Sequence, residues 1–184
     1  MSMLAAYLVQ KREALDALTE RVSAPGYQPS RLSAHVSAEG RSGVRRIRIR
    51  DFQMLSDSPS NFAGYDLGPS SPELQLGVLG SCLTHTFLIQ AARLGVPIDS
   101  VDVEVTGRID ARAGKPGHED TPVFPHAIAY SVHIDSSATA AELDALHAAV
   151  EQACPILNLL RAPQVIQGRV VQVPREAPMP VVAQ

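Results

Sequence analysis

From Leu74 to Ala92 the chain carries no Asp, Glu, Lys or Arg. Such a run must either cross a lipid bilayer or be covered by protein. It also holds Gln75, Ser81, Thr84, His85, Thr86, Gln90 and two glycines, Gly77 and Gly80. That is too polar for a lone lipid-facing helix of about 20 residues, so a helix buried in protein is expected. Ser70 or Ser71 supplies an N-cap, Pro72 sits near the first helical position and Glu73 lies in the first turn. Gly95 and Pro97 end the helix. Leu76, Leu79, Leu83, Phe87 and Leu94 line one side, while Val78, Cys82 and Ile89 make the rest apolar too. A helix apolar nearly all round is a central one.

Around it the other elements follow from periodicity. Residues 2–23 read as an amphipathic helix with Leu4, Leu8, Leu15, Leu18 and Val22 on one stripe, stopped by Pro25 and Gly26. Residues 31–37 and 43–50 alternate as two strands about a turn at Glu39-Gly40-Arg41-Ser42-Gly43. In the second strand Ile47 and Ile49 face one way and Arg46, Arg48 and Arg50 the other. Residues 56–72 form a loop rich in Ser, Pro, Gly, Asp and Asn. Val101, Val103 and Val105 alternate in a strand reaching about Ile109, and Ile128, Tyr130, Val132 and Ile134 in another beyond a Gly/Pro loop. Thr139-Ala140-Ala141-Glu142 is a capping box opening a helix that ends near Pro155. Residues 164–173 read as a last strand and the remainder, to Gln184, as a Pro-rich tail. Paired strands with short connections specify an α+β fold with antiparallel sheet.

The 184 residues suit one domain over the whole chain, with the helix at 2–23 as an extension and residues 174–184 as the tail. A net charge of −3 argues against nucleic acid as a partner, and the arginine strand face reads as solvated. The N-terminus lacks the basic start of a secretory signal. Two distant cysteines, Cys82 and Cys154, are not a disulfide scaffold. A reduced, cytoplasmic chain with free thiols and no membrane partner is expected. No zinc-type spacing and no phosphate-binding glycine loop occurs, so neither metal nor cofactor is expected. Cys82 lies within the uncharged helix, and burial raises a thiol pKa. It is either inert packing or paired with a cation. His85, three residues on, shares its helix face.

Asp57-Ser58-Pro59, Ala63-Gly64-Tyr65-Asp66-Leu67-Gly68-Pro69, Ser71-Pro72-Glu73-Leu74 and Leu79-Gly80-Ser81-Cys82, followed much later by Cys154-Pro155, resemble the paired motifs of the OsmC/Ohr family. The resemblance spans roughly residues 30–173. His85 and Thr86 depart from it, putting polar groups where apolar ones are expected. The resemblance implies an OsmC-like fold with antiparallel sheets around a central helix, in an intertwined homodimer with sites at the subunit interface. It implies a thiol-dependent peroxidase acting on organic hydroperoxides in oxidative-stress defence. Cys82 matches the peroxidatic cysteine and Cys154 the resolving one, with a dithiol such as a lipoylated protein as reductant. It also implies an arginine that stabilises the thiolate and is held by a glutamate, matching Glu73. The arginine matches Arg41, with Arg45, Arg46, Arg48 and Arg50 as the other candidates. Without the family's chemistry, Arg41 is an exposed turn residue and Glu73 serves the helix N-terminus. Two further readings stay open: a binding module with an apolar interface pocket, and a redox sensor that oxidises once without turnover.

Overall fold

The computed structural model describes residues 3–40 and 42–172. The element order is α1 (Met3–Ser23), β1 (His35–Ala38), β2 (Arg45–Ile49), β3 (Phe52–Ser56), a 3₁₀ turn (Ser60–Phe62), α2 (Ser71–Leu94), β4 (Ser100–Arg108), β5 (His126–Asp135), α3 (Ala140–Ala153) and α4 (Pro155–Arg161). This is the expected α+β fold. The strands form two antiparallel sheets, β1-β2-β3 and β4-β5.

Helix α2 is the centre. Glu73 caps its start by accepting from Ser70 N and Ser70 Oγ, and Gly95 closes it with φ 73°, its N–H donating to the Ala91 carbonyl. Although α2 is long and apolar enough to span a membrane, here α1, β4, α3 and α4 pack on it. Leu79, Leu83, Phe87, Ala91 and Ala92 are buried in one cluster with Leu8 and Leu15 of α1, Ile98, and Leu146, Val150 and Leu157 of α3 and α4. The helix is not covered all round, as its composition suggests it should be: Val78 and Leu94 are exposed. β4 packs on α2 and, with β5, turns one face to the core, so Val101, Val103 and Val105 alternate with exposed neighbours.

The other sheet stands differently. Val36 pairs with Ile47, Ile47 with Met54, and Ile49 with Phe52. Paired residues share a face, so this face is apolar, yet Val36, Ile49, Phe52 and Met54 are all exposed. On the opposite face Arg46 bonds Glu39 at 3.0 Å and Gln53 at 3.0 Å.

Three elements differ from the sequence reading. β3 is an additional strand, reached by a two-residue turn, Arg50-Asp51, with Arg50 at φ 52°. α4 is an additional helix, since Pro155 opens a new helix as well as ending α3. The strand expected at 164–173 is absent from its described part, 164–172, which forms no ladder. Its Val165, Ile166 and Val170 are almost wholly exposed, and without a neighbouring strand such a segment has no ladder to join. The tail at 174–184 lies outside the described residues.

The loop from Asp57 to Ser70 is folded around a buried carboxylate. Asp57 Oδ2 accepts the N–H groups of Tyr65 (2.9 Å) and Leu67 (3.2 Å). Burial pushes this carboxyl up, but the Ser58, Leu67 and Tyr65 N–H groups and the Arg45 charge outweigh it and hold it below the usual range. A Cβ at Gly64 would run into the Ser58 carbonyl oxygen, which is why this turn carries glycine. Arg45 ties the loop to β2 through Ser56 Oγ and the Asp57 carbonyl, both at 2.9 Å.

Candidate active site

Cys82 and Cys154, 72 positions apart, come together. Their sulfurs are 3.5 Å apart, and both thiols are free. Cys82 sits half-buried in mid-α2, while Cys154 is fully buried at the junction of α3 and α4.

The junction follows from Pro155. Lacking an N–H, it leaves the Glu151 carbonyl without its helical donor. The Asn158 side chain fills the gap, its Nδ2 donating to the carbonyls of Glu151 (3.0 Å), Gln152 (3.3 Å) and Cys154 (2.8 Å). The break also turns the next N–H, that of Ile156, towards the Cys82 sulfur. Arg161 of α4 bonds Glu151 of α3 at 2.6 Å, bridging the same corner. Tyr130 of β5 joins from the side, donating to Glu151 Oε1 at 3.1 Å and meeting His147 Nε2 at 2.8 Å. Burial and the neighbouring Glu151 push the Tyr130 phenol up to about 12, so it stays a hydrogen-bond donor.

Burial also pushes the Cys82 thiol up. The Ile156 N–H draws it down, the proximity of Cys154 raises it, and the net direction is upward. The Thr86 hydroxyl donates to the Cys82 carbonyl at 2.8 Å. The thiol opens into a cavity of about 560 Å³ lined by Met54 of β3, Leu74, Val78, Ser81 and His85 of α2, and Ile156 of α4. This wall is apolar apart from Ser81 and His85. Among the described residues no group of three or more metal-ligating side chains gathers there or elsewhere.

The other predicted site residues fare differently. Glu73 is occupied at the start of α2, its Oε2 accepting from Ser70 N (2.7 Å) and Ser70 Oγ (2.6 Å). These bonds hold its carboxyl below the usual range. It borders a different cavity, with Gly77, Thr84 and Val103. Arg41 lies outside the described residues. His85 does line the thiol cavity, and its Nε2 meets Lys11 Nζ of α1 at 3.2 Å. Sequence reasoning missed Lys11 and Asn158. Lys11 is 74 positions from its partner and leaves no local signal; Asn158 is legible only once Pro155 is read as a helix start.

A family model described as OsmC-like protein matches residues 64–167, more than half of the 184. The chain belongs to the OsmC-like family. Solved structures share the fold of this OsmC-like chain. An OsmC-like protein from Mycoplasma pneumoniae has a TM-score of 0.63 and 18% identity, over 73% of this chain and 89% of that one. An organic hydroperoxide resistance protein OsmC from Legionella pneumophila has 0.53 and 16%, over 73% and 92%. A putative organic hydroperoxide resistance protein from Vibrio cholerae, with captopril bound in one of its active sites, has 0.51 and 21%, over 75% and 89%. Among curated proteins nothing matches. The family match covers both cysteines and begins beyond α1, β1, β2 and β3.

Proposed function

We propose that this OsmC-like chain is a two-cysteine peroxidase that reduces organic hydroperoxides. The observation that carries this reading is the 3.5 Å approach of Cys82 to Cys154 beside an apolar cavity. Structures of the same fold that are named for organic hydroperoxide resistance support it. The Cys82 thiolate attacks a peroxide oxygen and the O–O bond breaks. The alcohol leaves after taking a proton, and Cys82 becomes a sulfenic acid. The Cys154 sulfur then attacks the Cys82 sulfur and water leaves. Closing to a disulfide of about 2.05 Å needs little more than the sulfurs' mutual approach. An external dithiol, a lipoylated protein or a small thiol, returns both to thiols.

The thiolate is the reactive form, and the described surroundings raise the Cys82 thiol. In this reading Arg41, which falls between β1 and β2 in the sequence, supplies the missing positive charge. Glu73 caps α2 through Ser70 N and Ser70 Oγ. The protein acts as a homodimer in the cytoplasm, a second copy covering the apolar face of Val36, Ile47, Ile49, Phe52 and Met54.

The test is to dose the reduced protein with cumene hydroperoxide and with hydrogen peroxide, then map the thiols by mass spectrometry. A Cys82–Cys154 disulfide, forming faster with the organic peroxide and lost in Cys82→Ser, is expected. Cys154→Ser should stop at the sulfenic acid. Thiols that stay free sink the reading and favour the alternative to which the raised Cys82 thiol points, a module that binds an apolar molecule without turnover.

A further inference from the structure

We infer that Lys11 makes the thiol cavity selective for hydroperoxides that carry a carboxylate. The inference rests on the peroxidase reading and adds to it a residue from outside the family-matched segment. Helix α1 is fixed on α2 by buried Leu8 and Leu15 and by Arg12 Nε, which donates to the Ala92 carbonyl at 2.7 Å. That docking brings the Lys11 ammonium to 3.2 Å from His85 Nε2, with the Tyr7 ring 5.4 Å below it.

An ammonium has donors and no acceptor, so in this pair Lys11 Nζ donates and His85 Nε2 accepts. His85 lines the cavity and Lys11 is hydrogen-bonded to it, so the pair sets a positive charge beside the cavity at its His85 end. The remaining wall, Met54, Leu74, Val78 and Ile156, is apolar, and none of the lining residues is acidic. A substrate that fits both ends has an apolar chain bearing the peroxide and an anionic end that reaches Lys11. Lys11 forms no ion pair with a carboxylate of the protein among the described residues, so its charge is free to meet one from solution.

The test uses the full chain and two substrates of identical apolar shape, linoleic acid hydroperoxide and its methyl ester, below micelle formation, with cumene hydroperoxide alongside. Wild type should prefer the acid by about three- to fivefold in kcat/KM, as expected for one partly exposed charge pair. The difference should lie in KM and shrink as salt rises from roughly 0.05 to 0.5 M. Lys11→Met should bring the acid-to-ester ratio to about one, and Lys11→Arg should restore it. Because the ratio is taken within each variant, a fold defect cancels. Equal use of acid and ester by wild type, or a ratio unchanged in Lys11→Met, overturns the inference while leaving the peroxidase reading intact. If cumene hydroperoxide and both linoleate compounds go unconsumed, the peroxidase reading falls and this inference with it.

Discussion

The two sheets are built by the same rule and end in different circumstances. In β4–β5 the apolar alternate residues face the core, and Val101, Val103 and Val105 pack against it. In β1–β3 the apolar alternates are as regular, yet Val36, Phe52 and Met54 face outward, Phe52 with 64% of its surface accessible. Alternation fixes which side of a strand is apolar; it does not say whether the cover comes from the same chain. The thiol cavity lies between α2, α4 and the outer sheet, with Met54 the outer sheet's contribution to its wall.

The largest expected effect is in the inner region. Leu83 is fully buried at the centre of the core, and Leu83→Ala should cost about 3–4 kcal/mol in urea unfolding, whatever the protein concentration. Ile47→Ser, in the outer sheet, should cost less at high concentration. It should also make the unfolding midpoint fall as the protein is diluted, as expected if a second copy covers that face. A concentration-independent loss as large as that of Leu83→Ala would break the comparison.

At the seam, Asn158→Ala removes the donor that replaces Pro155's missing N–H. Disulfide closure should slow about fivefold, the kinetic equivalent of roughly 1 kcal/mol of lost hydrogen bonding. Quench-flow should find the rate of Cys82 sulfenic acid formation nearly unchanged; equal slowing of both steps would mean that Asn158 serves the fold alone. The raised thiol gives a pH signature. In Arg41→Met, alkylation of Cys82 should accelerate only at pH above the ordinary thiol value of 9.0. Wild type should accelerate at lower pH, and identical profiles would remove Arg41 from the site.

The smallest effect is at the α3 cap. Thr139 N and Oγ1 both donate to Glu142 Oε2 at 2.7 Å, holding that carboxyl below its ordinary 4.5. A depressed pKa gives stability that is complete above the ordinary value and lost as pH falls through the folded one. The melting temperature of Glu142→Gln should therefore trail wild type by a few degrees near neutral pH and converge with it at about pH 3.

Much of this was legible in the sequence because it was local. The ends of α2 and α3 follow from Ser70, Glu73, Gly95 and Thr139, whose side chains or backbone act within a few residues. β4 and β5 follow from alternation. β3 did not, because Arg50-Asp51 makes its tight turn without the glycine that usually marks one. α4 did not, because proline stops one helix and suits the first turn of the next equally well. Segment 164–172 has the composition of a strand without a partner in the described chain. At the site, the family motifs pointed to both cysteines, but their mutual distance depends on how α3 crosses α2. Glu73 satisfies two tests from sequence, cap and catalytic partner, and the geometry engages it as a cap.

The corner at Cys154 also has a meaning for protein engineering. Five consecutive residues, Cys154-Pro155-Ile156-Leu157-Asn158, place a thiol, break a helix, release one N–H and repair two of the carbonyls around the break. Because these parts are local, the unit is portable: set at the end of any helix that crosses a second one bearing a cysteine, it offers a ready-made way to install a closable thiol pair. The receiving scaffold needs to supply only the crossing.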